Sequence, residues 1–322
     1  MLRFIIMRLG KAAVVLVAVL VLNFFLIHAA PGDPVAVMAG EAGAADAKFI
    51  AQLKEQFGLD KPLLVQLGIY VKGVLQFDLG FSYRQQMPVA DLILGRLPAT
   101  LLLTMTAFVI ALLLGTIAGT LTAARVGTWT DTAISTLALL FYATPLFWAA
   151  LMAVLLFSVY LDWLPGFGYE TVGAGFTGFR RMLNIVQHLI LPAGTLGLFF
   201  VTVYMRMTRA SMLEVSQQGF VKTARAKGLR QSIILRRHVF RNAMLPVLTL
   251  AGLQAGQLVG GAVLTETVFA WPGIGRLMFE ALTQRDYNLL LGIFFVCAAM
   301  VLLFNLITDI LYRVVDPRIQ AS

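Results

Sequence analysis

The chain has 322 residues, of which 59% are hydrophobic and only 13% are charged, and its formal net charge is +9. Soluble domains carry about 25% charged residues, so this composition excludes an ordinary soluble protein and predicts an integral membrane protein. The positive charge is spread over segments between apolar stretches, which excludes a basic face for nucleic acid. The single cysteine, Cys297, lies in an apolar run and excludes a disulfide framework or a thiolate metal cluster.

Six apolar stretches reach the roughly 20 residues that a bilayer core requires. In chain order they cover residues 9–29, 99–122, 133–159, 188–206, 245–268 and 289–312. The first stretch follows basic residues as a signal peptide would. Its apolar run exceeds the roughly 7–15 residues of a signal-peptide core, so we predict a retained helix. The predicted fold class is therefore an all-α membrane protein with six transmembrane helices.

The region between the first two stretches, residues 31–98, predicts a small helical module outside the membrane. Its apolar residues of helical spacing are Phe49, Ile50, Leu53 and Phe57. Gly58 ends this helix, and Pro62 suits the start of a second one. Asp78-Leu79-Gly80 predicts a turn, followed by a third short helix over about 89–97.

The distribution of basic residues predicts the orientation of the chain in the membrane. Six spans place both termini on one side, together with residues 123–132 and 207–244, and with Arg206 at the border that side holds fifteen of the 25 Lys and Arg residues. The positive-inside rule then places both termini in the cytoplasm. The predicted domains are a first helix (1–30), the outer module (31–98), a five-helix core (99–312) and a cytoplasmic tail (313–322).

The loop over 207–244, together with Arg206 at its border, is too basic to lie in the bilayer, because each Lys or Arg at the bilayer centre costs about 2.5–3.5 kcal/mol. Its nine basic residues are Arg206, Arg209, Lys222, Arg225, Lys227, Arg230, Arg236, Arg237 and Arg241. Residues 221–227 favour a helix, Gly228 supplies a turn, and 233–241 could resume a helix.

This helix–glycine–helix pattern suits a segment that docks on a soluble partner. Ala224 and Ala226 would allow close approach of the backbone, while Arg225, Lys227 and Arg230 supply charge. The alternative is that these cations only fix the topology. Topology alone does not require the helical pattern, so we favour docking.

Polar residues near the fifth stretch are the remaining candidates. Glu266 precedes Trp271-Pro272-Gly273, a turn expected at headgroup level because Trp favours the interface. Glu266 is either part of an outer gate that contacts a docking protein or a headgroup-level carboxylate. Gln254 and Gln257 are candidate pathway residues, although hydrogen bonding between helices is the favoured interpretation. The small residues of this stretch, Gly252, Gly256, Gly260 and Gly261, indicate close helix packing.

Several kinds of chemistry are excluded. No GxxxxGK[ST] phosphate loop occurs, so no Walker-type ATP site is expected. His28, His188 and His238 are too far apart for a spaced zinc motif. Asp309 stands alone near the end of an apolar stretch and does not form a protease dyad. No catalytic residue or metal site is therefore predicted.

Short runs of residues in five regions of the chain resemble the permease subunits of dipeptide/oligopeptide/nickel-type ABC importers. These runs are Thr223-Ala-Arg-Ala-Lys-Gly-Leu229 with His238–Pro246, Pro31-Gly-Asp-Pro34 with Phe57–Pro62, Arg96-Leu-Pro-Ala-Thr100, Leu264–Arg276, and Asp316-Pro-Arg318. The resemblance covers nearly the whole chain in the right order. It implies a six-helix permease of the type I importer kind in the bacterial inner membrane.

The resemblance also implies partners and roles. The partners are a second homologous permease, two ATPase subunits that bind ATP and Mg²⁺, a periplasmic substrate-binding protein and membrane lipid, so this chain needs no cofactor and is not an enzyme. The ATPase-coupling residues would be Thr223, Ala224, Arg225, Ala226, Lys227, Gly228 and Leu229. Lys222 stands where the general importer loop has a glutamate, so contacts of that glutamate do not transfer here.

The function predicted from this resemblance is translocation of short peptides by alternating access. Glutathione or a nickel complex remains an alternative substrate for the same architecture. A secondary transporter would typically show repeats, helices broken at mid-membrane and buried carboxylates, and no acidic residue lies in the middle of a predicted span. A channel would need a filter or charged ring, and a pure scaffold would leave the basic loop unexplained.

Overall fold

A computed structural model describes residues 2–29, 60–82 and 84–315, and these are predominantly helical. The helices are α1 (Leu2–Ala29), α2 (Leu63–Leu75), α3 (Val89–Ala124), α4 (Trp129–Ala143), α5 (Leu146–Val154), α6 (Gly178–Ser216), α7 (Gly219–Ala226), α8 (Gln231–Ile233), α9 (Arg241–Gly261), α10 (Val263–Val268), α11 (Ile274–Thr283) and α12 (Tyr287–Val315). Two π-helical segments, Leu155–Tyr160 and Ile234–Phe240, follow α5 and α8. Strands β1 (Phe81–Ser82) and β2 (Met87–Pro88) form an antiparallel pair that the all-α prediction did not include.

Among the residues that the structure describes, four helices are long and apolar enough to cross a membrane: α1, α3, α6 and α12. A fifth crossing results if α4 and the helix after it count as one bent span. The predicted span over 245–268 coincides with α9 and α10 and is not among these five, so six crossings stay a prediction. The chain is thus a multi-pass helical protein.

The third predicted span, 133–159, is wrong as a single helix. It is divided at Thr144–Pro145, and the two halves are bent by 100°. Pro145 has no N–H to continue the hydrogen-bond ladder, and it forces Thr144 into an extended conformation with ψ 129°. Proline was visible in the sequence, but the size of the bend depends on packing.

Two local predictions in the outer module are confirmed, and a third is wrong. Pro62 immediately precedes α2, and Gly80 has φ +84° in the turn, where its N–H is bonded by Asp78 Oδ1 at 2.9 Å. The separate helix over 89–97 does not exist, because α3 runs without a break through Pro98 into the second predicted span. The predicted helix around 49–57 lies outside the described residues.

The described chain divides into two compact units, the first formed by Met1–Pro98 and Leu277–Leu302. Within it, Phe24 of α1 stacks on Tyr70 of α2 with ring centroids 6.0 Å apart. Asp286 accepts hydrogen bonds from the Ser82 hydroxyl of the hairpin and from the Leu289 N–H. A side-chain oxygen at this position satisfies an orphan donor in the first turn of α12.

The second unit comprises Ala99–Arg276 and Leu303–Ser322. Its long helix α6 packs against α4, α5 and α9. Residues of α3 also lie directly against α6: a Cβ added at Gly119 would stand 2.5 Å from the Met205 carbonyl oxygen. Glycine is therefore required where the α3 and α6 backbones meet, as is common between membrane helices.

We predict that Gly119→Ala destabilises the protein, because the new methyl group meets a backbone carbonyl that cannot rotate away. Overpacking of this kind costs about 1–3 kcal/mol. The matched control is Gly95→Ala in the same helix, where nothing lies within 4 Å of the added Cβ. Thermal unfolding of the two detergent-solubilised variants measures the difference. A Gly119→Ala melting temperature equal to that of Gly95→Ala would contradict the packing described.

Candidate functional site

The predicted docking segment is a short helix followed by a tight turn. Helix α7 ends at Ala226, and Gly228 has φ +74°, a left-handed conformation that glycine adopts without strain. The Gly228 N–H bonds to the Arg225 carbonyl at 2.9 Å, and the Leu229 N–H bonds to the Ala224 carbonyl at 3.4 Å. This pair of bonds is the Schellman arrangement, which satisfies the last carbonyls of a helix. The helix and the glycine turn are confirmed; their docking role stays a prediction.

One face of α7 is fixed to its own chain. Val221 and Ala224 are buried in a cluster with Met212, Ile234 and Val239. The prediction that Ala224 lets a partner approach the backbone is therefore wrong, since Ala224 is 4% exposed and packs inside the chain.

The opposite face of α7 and its turn are open to a partner. The exposed residues are Thr223, Arg225, Ala226, Lys227, Gly228 and Leu229. After the turn, α8, the π-helical segment and α9 follow one another without a break from Gln231 to Gly261. The predicted return to helix over 233–241 is confirmed, and the exposed turn is joined to a long helix.

The second candidate is a buried carboxylate. Glu266 is fully buried, and its Oε1 accepts a hydrogen bond from the Thr100 hydroxyl at 2.7 Å. Its Oε2 accepts the Arg276 backbone N–H at 2.9 Å. The Thr100 oxygen also accepts the Ile274 N–H at 2.7 Å. One hydroxyl thus joins α3, α10 and the first residue of α11.

The turn after α10 wraps around this carboxylate. Ala270 has φ +50°, and the Trp271 N–H bonds to the Glu266 carbonyl at 2.8 Å, which caps α10. The indole Nε1 of Trp271 donates to the Ala99 carbonyl at 2.8 Å. A Cβ at Gly273 would collide with the Glu266 carboxylate, so the sequence Trp-Pro-Gly supplies both an anchor and the space for the acid.

Residues 161–177 cover this cluster from one side. Tyr169 packs edge-on against Trp271 with ring centroids 4.9 Å apart, and the Gly168 N–H donates to the Phe269 carbonyl at 2.9 Å. The next residue, Glu170, pairs with Arg181 at 2.7 Å. The hydrogen bond from the Arg181 guanidinium holds the pKa of the Glu170 carboxyl below its usual value.

The structure corrects the predicted surroundings of these side chains. Glu266 and Trp271 are fully buried within the chain, so neither side chain is exposed to a docking protein; the expected headgroup level of the turn stays a prediction. Only Pro272 is partly exposed. Burial follows because the carboxylate and the indole N–H find donors and acceptors inside the protein. Gln254 is half-buried on α9, whereas the side chain of Gln257 lies outside the described residues.

The sequence prediction missed an ion pair between helices. Asp131, in the first turn of α4, receives two hydrogen bonds from the Arg209 guanidinium of α6, at 2.9 and 3.1 Å. Arg209 was counted only as a loop cation, and Asp131 was not singled out. Opposite charges 78 positions apart carry no local sequence signal.

Both partners of Glu266 lie in sequence runs that carry the family resemblance. Thr100 closes the run Arg96–Thr100, and Arg276 closes the run Leu264–Arg276, both noted for a family resemblance. The two runs meet in space at the Glu266 carboxylate.

Comparison with known proteins identifies related families and folds. Residues 111–321 match the family model of the binding-protein-dependent transport system inner membrane component, and residues 1–104 match the model of the N-terminal part of such components. The chain is 41% identical to the dipeptide transport system permease protein DppB of Escherichia coli, with 99% of each chain covered. It is 39% identical to DppB of Alkalihalophilus pseudofirmus, with 99% of this chain and 100% of the relative covered.

A solved structure shares the fold. The inward-facing MetNI methionine ABC transporter aligns with a TM-score of 0.56 and 17% sequence identity. The alignment covers 70% of this chain and 96% of that chain.

We predict that Thr100→Val destabilises the protein more than Thr104→Val. Both threonines are fully buried on α3, but Thr104 bonds only to the Thr100 and Leu101 carbonyls of its own helix. A hydrogen bond to a charged group contributes about 1.5–3 kcal/mol, against about 0.5–1.5 kcal/mol for a neutral pair. Thermal unfolding in detergent measures both variants. Equal melting temperatures would show that the Thr100 hydroxyl does not stabilise the Glu266 carboxylate.

Proposed function

The chain belongs to the family of inner membrane components of binding-protein-dependent transport systems, and from this membership we propose how it works as the permease subunit of a peptide importer. The observation that carries the peptide assignment is the 39–41% identity to dipeptide permeases over the whole length. The multi-pass helical structure agrees with a position in the inner membrane. The proposed substrates are short peptides of the dipeptide and oligopeptide class.

The importer is proposed to contain a second, homologous permease, two ATPase subunits that bind ATP and Mg²⁺, and a periplasmic binding protein. The feature of this chain that supports an ATPase partner is the exposed face of α7 and its turn. That face is helical and carries positive charge at Arg225 and Lys227. A short helix with one buried face and one exposed face is suited to a groove on a soluble subunit.

Movement of the ATPase subunits would enter the membrane through α7. Because Val221 and Ala224 pack on Met212 of α6 and on Ile234 and Val239 before α9, a displacement of α7 is passed to both helices. Alternating access then requires a change in the arrangement of the spanning helices. In this scheme the Glu266 cluster holds the outer turn in a fixed shape, and the proposed outer-gate region comprises Glu266, Trp271 and Pro272.

Peptide transport is tested with the reconstituted importer. Proteoliposomes that contain this chain, its partner permease, the ATPase subunits and the binding protein are expected to accumulate a labelled dipeptide only when ATP is supplied. Uptake driven by a proton gradient in the absence of ATP would instead support a secondary transporter.

We predict that Gly228→Val abolishes peptide-stimulated ATP hydrolysis while the chain still inserts into the membrane. A β-branched residue is strongly disfavoured at φ +74°, so the turn that presents α7 is lost. The matched control is Gly219→Val at the other end of α7, where φ is not positive and the space around an added Cβ is open. Hydrolysis is measured in the reconstituted importer. Stimulation at wild-type level in Gly228→Val would contradict coupling through this turn.

We predict that residue 225 is cytoplasmic and residue 61 is periplasmic. Both side chains are exposed, so cysteines placed there in a Cys297→Ser background report topology directly. A membrane-impermeant maleimide added to whole cells is expected to label Lys61→Cys but not Arg225→Cys. Disruption of the cells should make Arg225→Cys reactive, which controls for accessibility. The reverse pattern in whole cells would invert the proposed orientation of both termini.

A further inference from the structure

An open groove of about 420 Å³ runs between α4, α6 and α9. Its walls include Tyr142, Thr202, Arg206, Met207 and Leu250. A volume of this size lies in the range of small-molecule sites, about 300–1,000 Å³. The groove therefore has room for a short peptide.

Three contacts between α4 and α6 define where the groove lies along these two helices. Asp131 meets Arg209 at 2.9 Å, the Ala138 carbonyl accepts the Thr202 hydroxyl at 2.7 Å, and Tyr142 stacks on Phe199 with centroids 5.6 Å apart. Helices α4 and α6 are thus antiparallel. At 1.5 Å per residue, Tyr142 lies about 16 Å farther along α4 than Asp131.

Arg206 lies in this groove, one turn of α6 from Arg209 on the side towards Tyr142. The groove therefore extends from the Asp131–Arg209 ion pair towards the break of the helix at Thr144–Pro145. Broken helices at membrane depth occur where the backbone is buried in protein or lines a water-filled cavity.

Arg206 carries the positive charge in the groove, and none of the residues that line the groove is acidic. Arg206 is exposed and, within the residues that the structure describes, forms no hydrogen bond or ion pair, whereas Arg209 is held by Asp131. Arg206 ends the apolar stretch 188–206, so its charge lies near an aqueous end of that stretch rather than at the bilayer centre. The planar guanidinium is suited to bidentate binding of a carboxylate.

We propose that this groove binds the peptide during translocation and that Arg206 binds its C-terminal carboxylate. The carboxylate is the anionic group shared by all short peptides, whatever their side chains. Tyr142, Met207 and Leu250 form walls that accept varied side chains, since methionine adapts to irregular shapes. The inference rests on the proposed peptide transport and assigns its substrate site within this chain.

The test uses the complete reconstituted importer with its binding protein. Uptake of a labelled dipeptide and peptide-stimulated ATP hydrolysis are measured together for wild type, Arg206→Gln and Arg180→Gln. Arg180 is the matched control, because it is an exposed arginine of the same helix outside the groove. Arg206→Gln is expected to lower peptide uptake per ATP hydrolysed about tenfold or more, as loss of a charge-assisted pair implies. Arg180→Gln should leave this ratio unchanged.

Two further arms separate carboxylate binding from other roles. Arg206→Lys retains the positive charge but not the planar guanidinium, so the half-saturating peptide concentration is expected to rise several-fold. This variant keeps the proposal testable even if Arg206→Gln fails to assemble. Wild-type uptake should be the same in vesicles of phosphatidylcholine alone and in vesicles with added phosphatidylglycerol. An unchanged uptake ratio in Arg206→Gln, or a strict requirement for the anionic lipid, would overturn the proposal and assign Arg206 to structure or to headgroups. Absence of ATP-dependent uptake in wild type would instead contradict the proposed function itself.

Discussion

A carboxylate that is removed from water has to be met by donors, and this requirement at Glu266 organises much of the second unit. The acid receives the Thr100 hydroxyl and the Arg276 N–H, and Thr100 in turn accepts the Ile274 N–H. An unpaired charge in such surroundings would cost several kcal/mol, so α3, α10 and the start of α11 cannot separate without loss of stability. The glycines after Trp271 leave room for the acid. These three elements are thereby held together by polar contacts around one buried acid.

Two turns use the same hydrogen-bond arrangement with different residues in the left-handed position. After α7 this residue is Gly228, which bears no strain, whereas after α10 it is Ala270. A non-glycine residue in this conformation costs about 1–2 kcal/mol, and the cost is tolerated only where the surroundings fix the backbone. Trp271 and Glu266 supply that restraint after α10. The exposed turn after α7 has no such support from its own chain, so its sequence relies on glycine.

Local features of the fold could be predicted from the sequence, and those that depend on distant partners could not. The helix over α7, the turn at Gly228, the start of α2 after Pro62 and the turn at Gly80 each follow from residue type at one place. Burial of Glu266 depends on Thr100, which is 166 positions away, so a carboxylate at the end of an apolar run was expected at the surface. The bend at Pro145 and the division of the third span depend in the same way on packing. Ala224 was expected to face a partner, because the sequence around it does not indicate that it is buried in one cluster with Ile234.

The unbroken helical path from Gln231 to Gly261 has a mechanical consequence. Thirty-one residues of helical backbone, which include a π-helical segment and Pro246, follow a path on the order of 45 Å, and one end of it adjoins the Gly228 turn. If this path moves as one body, a tilt of about 5° at the turn displaces its far end by about 4 Å. The far end at Gly261 is followed by Ala262 and then by α10, whose fourth residue is Glu266. In that case a small rotation imposed on α7 would produce a larger displacement at the hydrogen bonds that hold the Glu266 carboxylate.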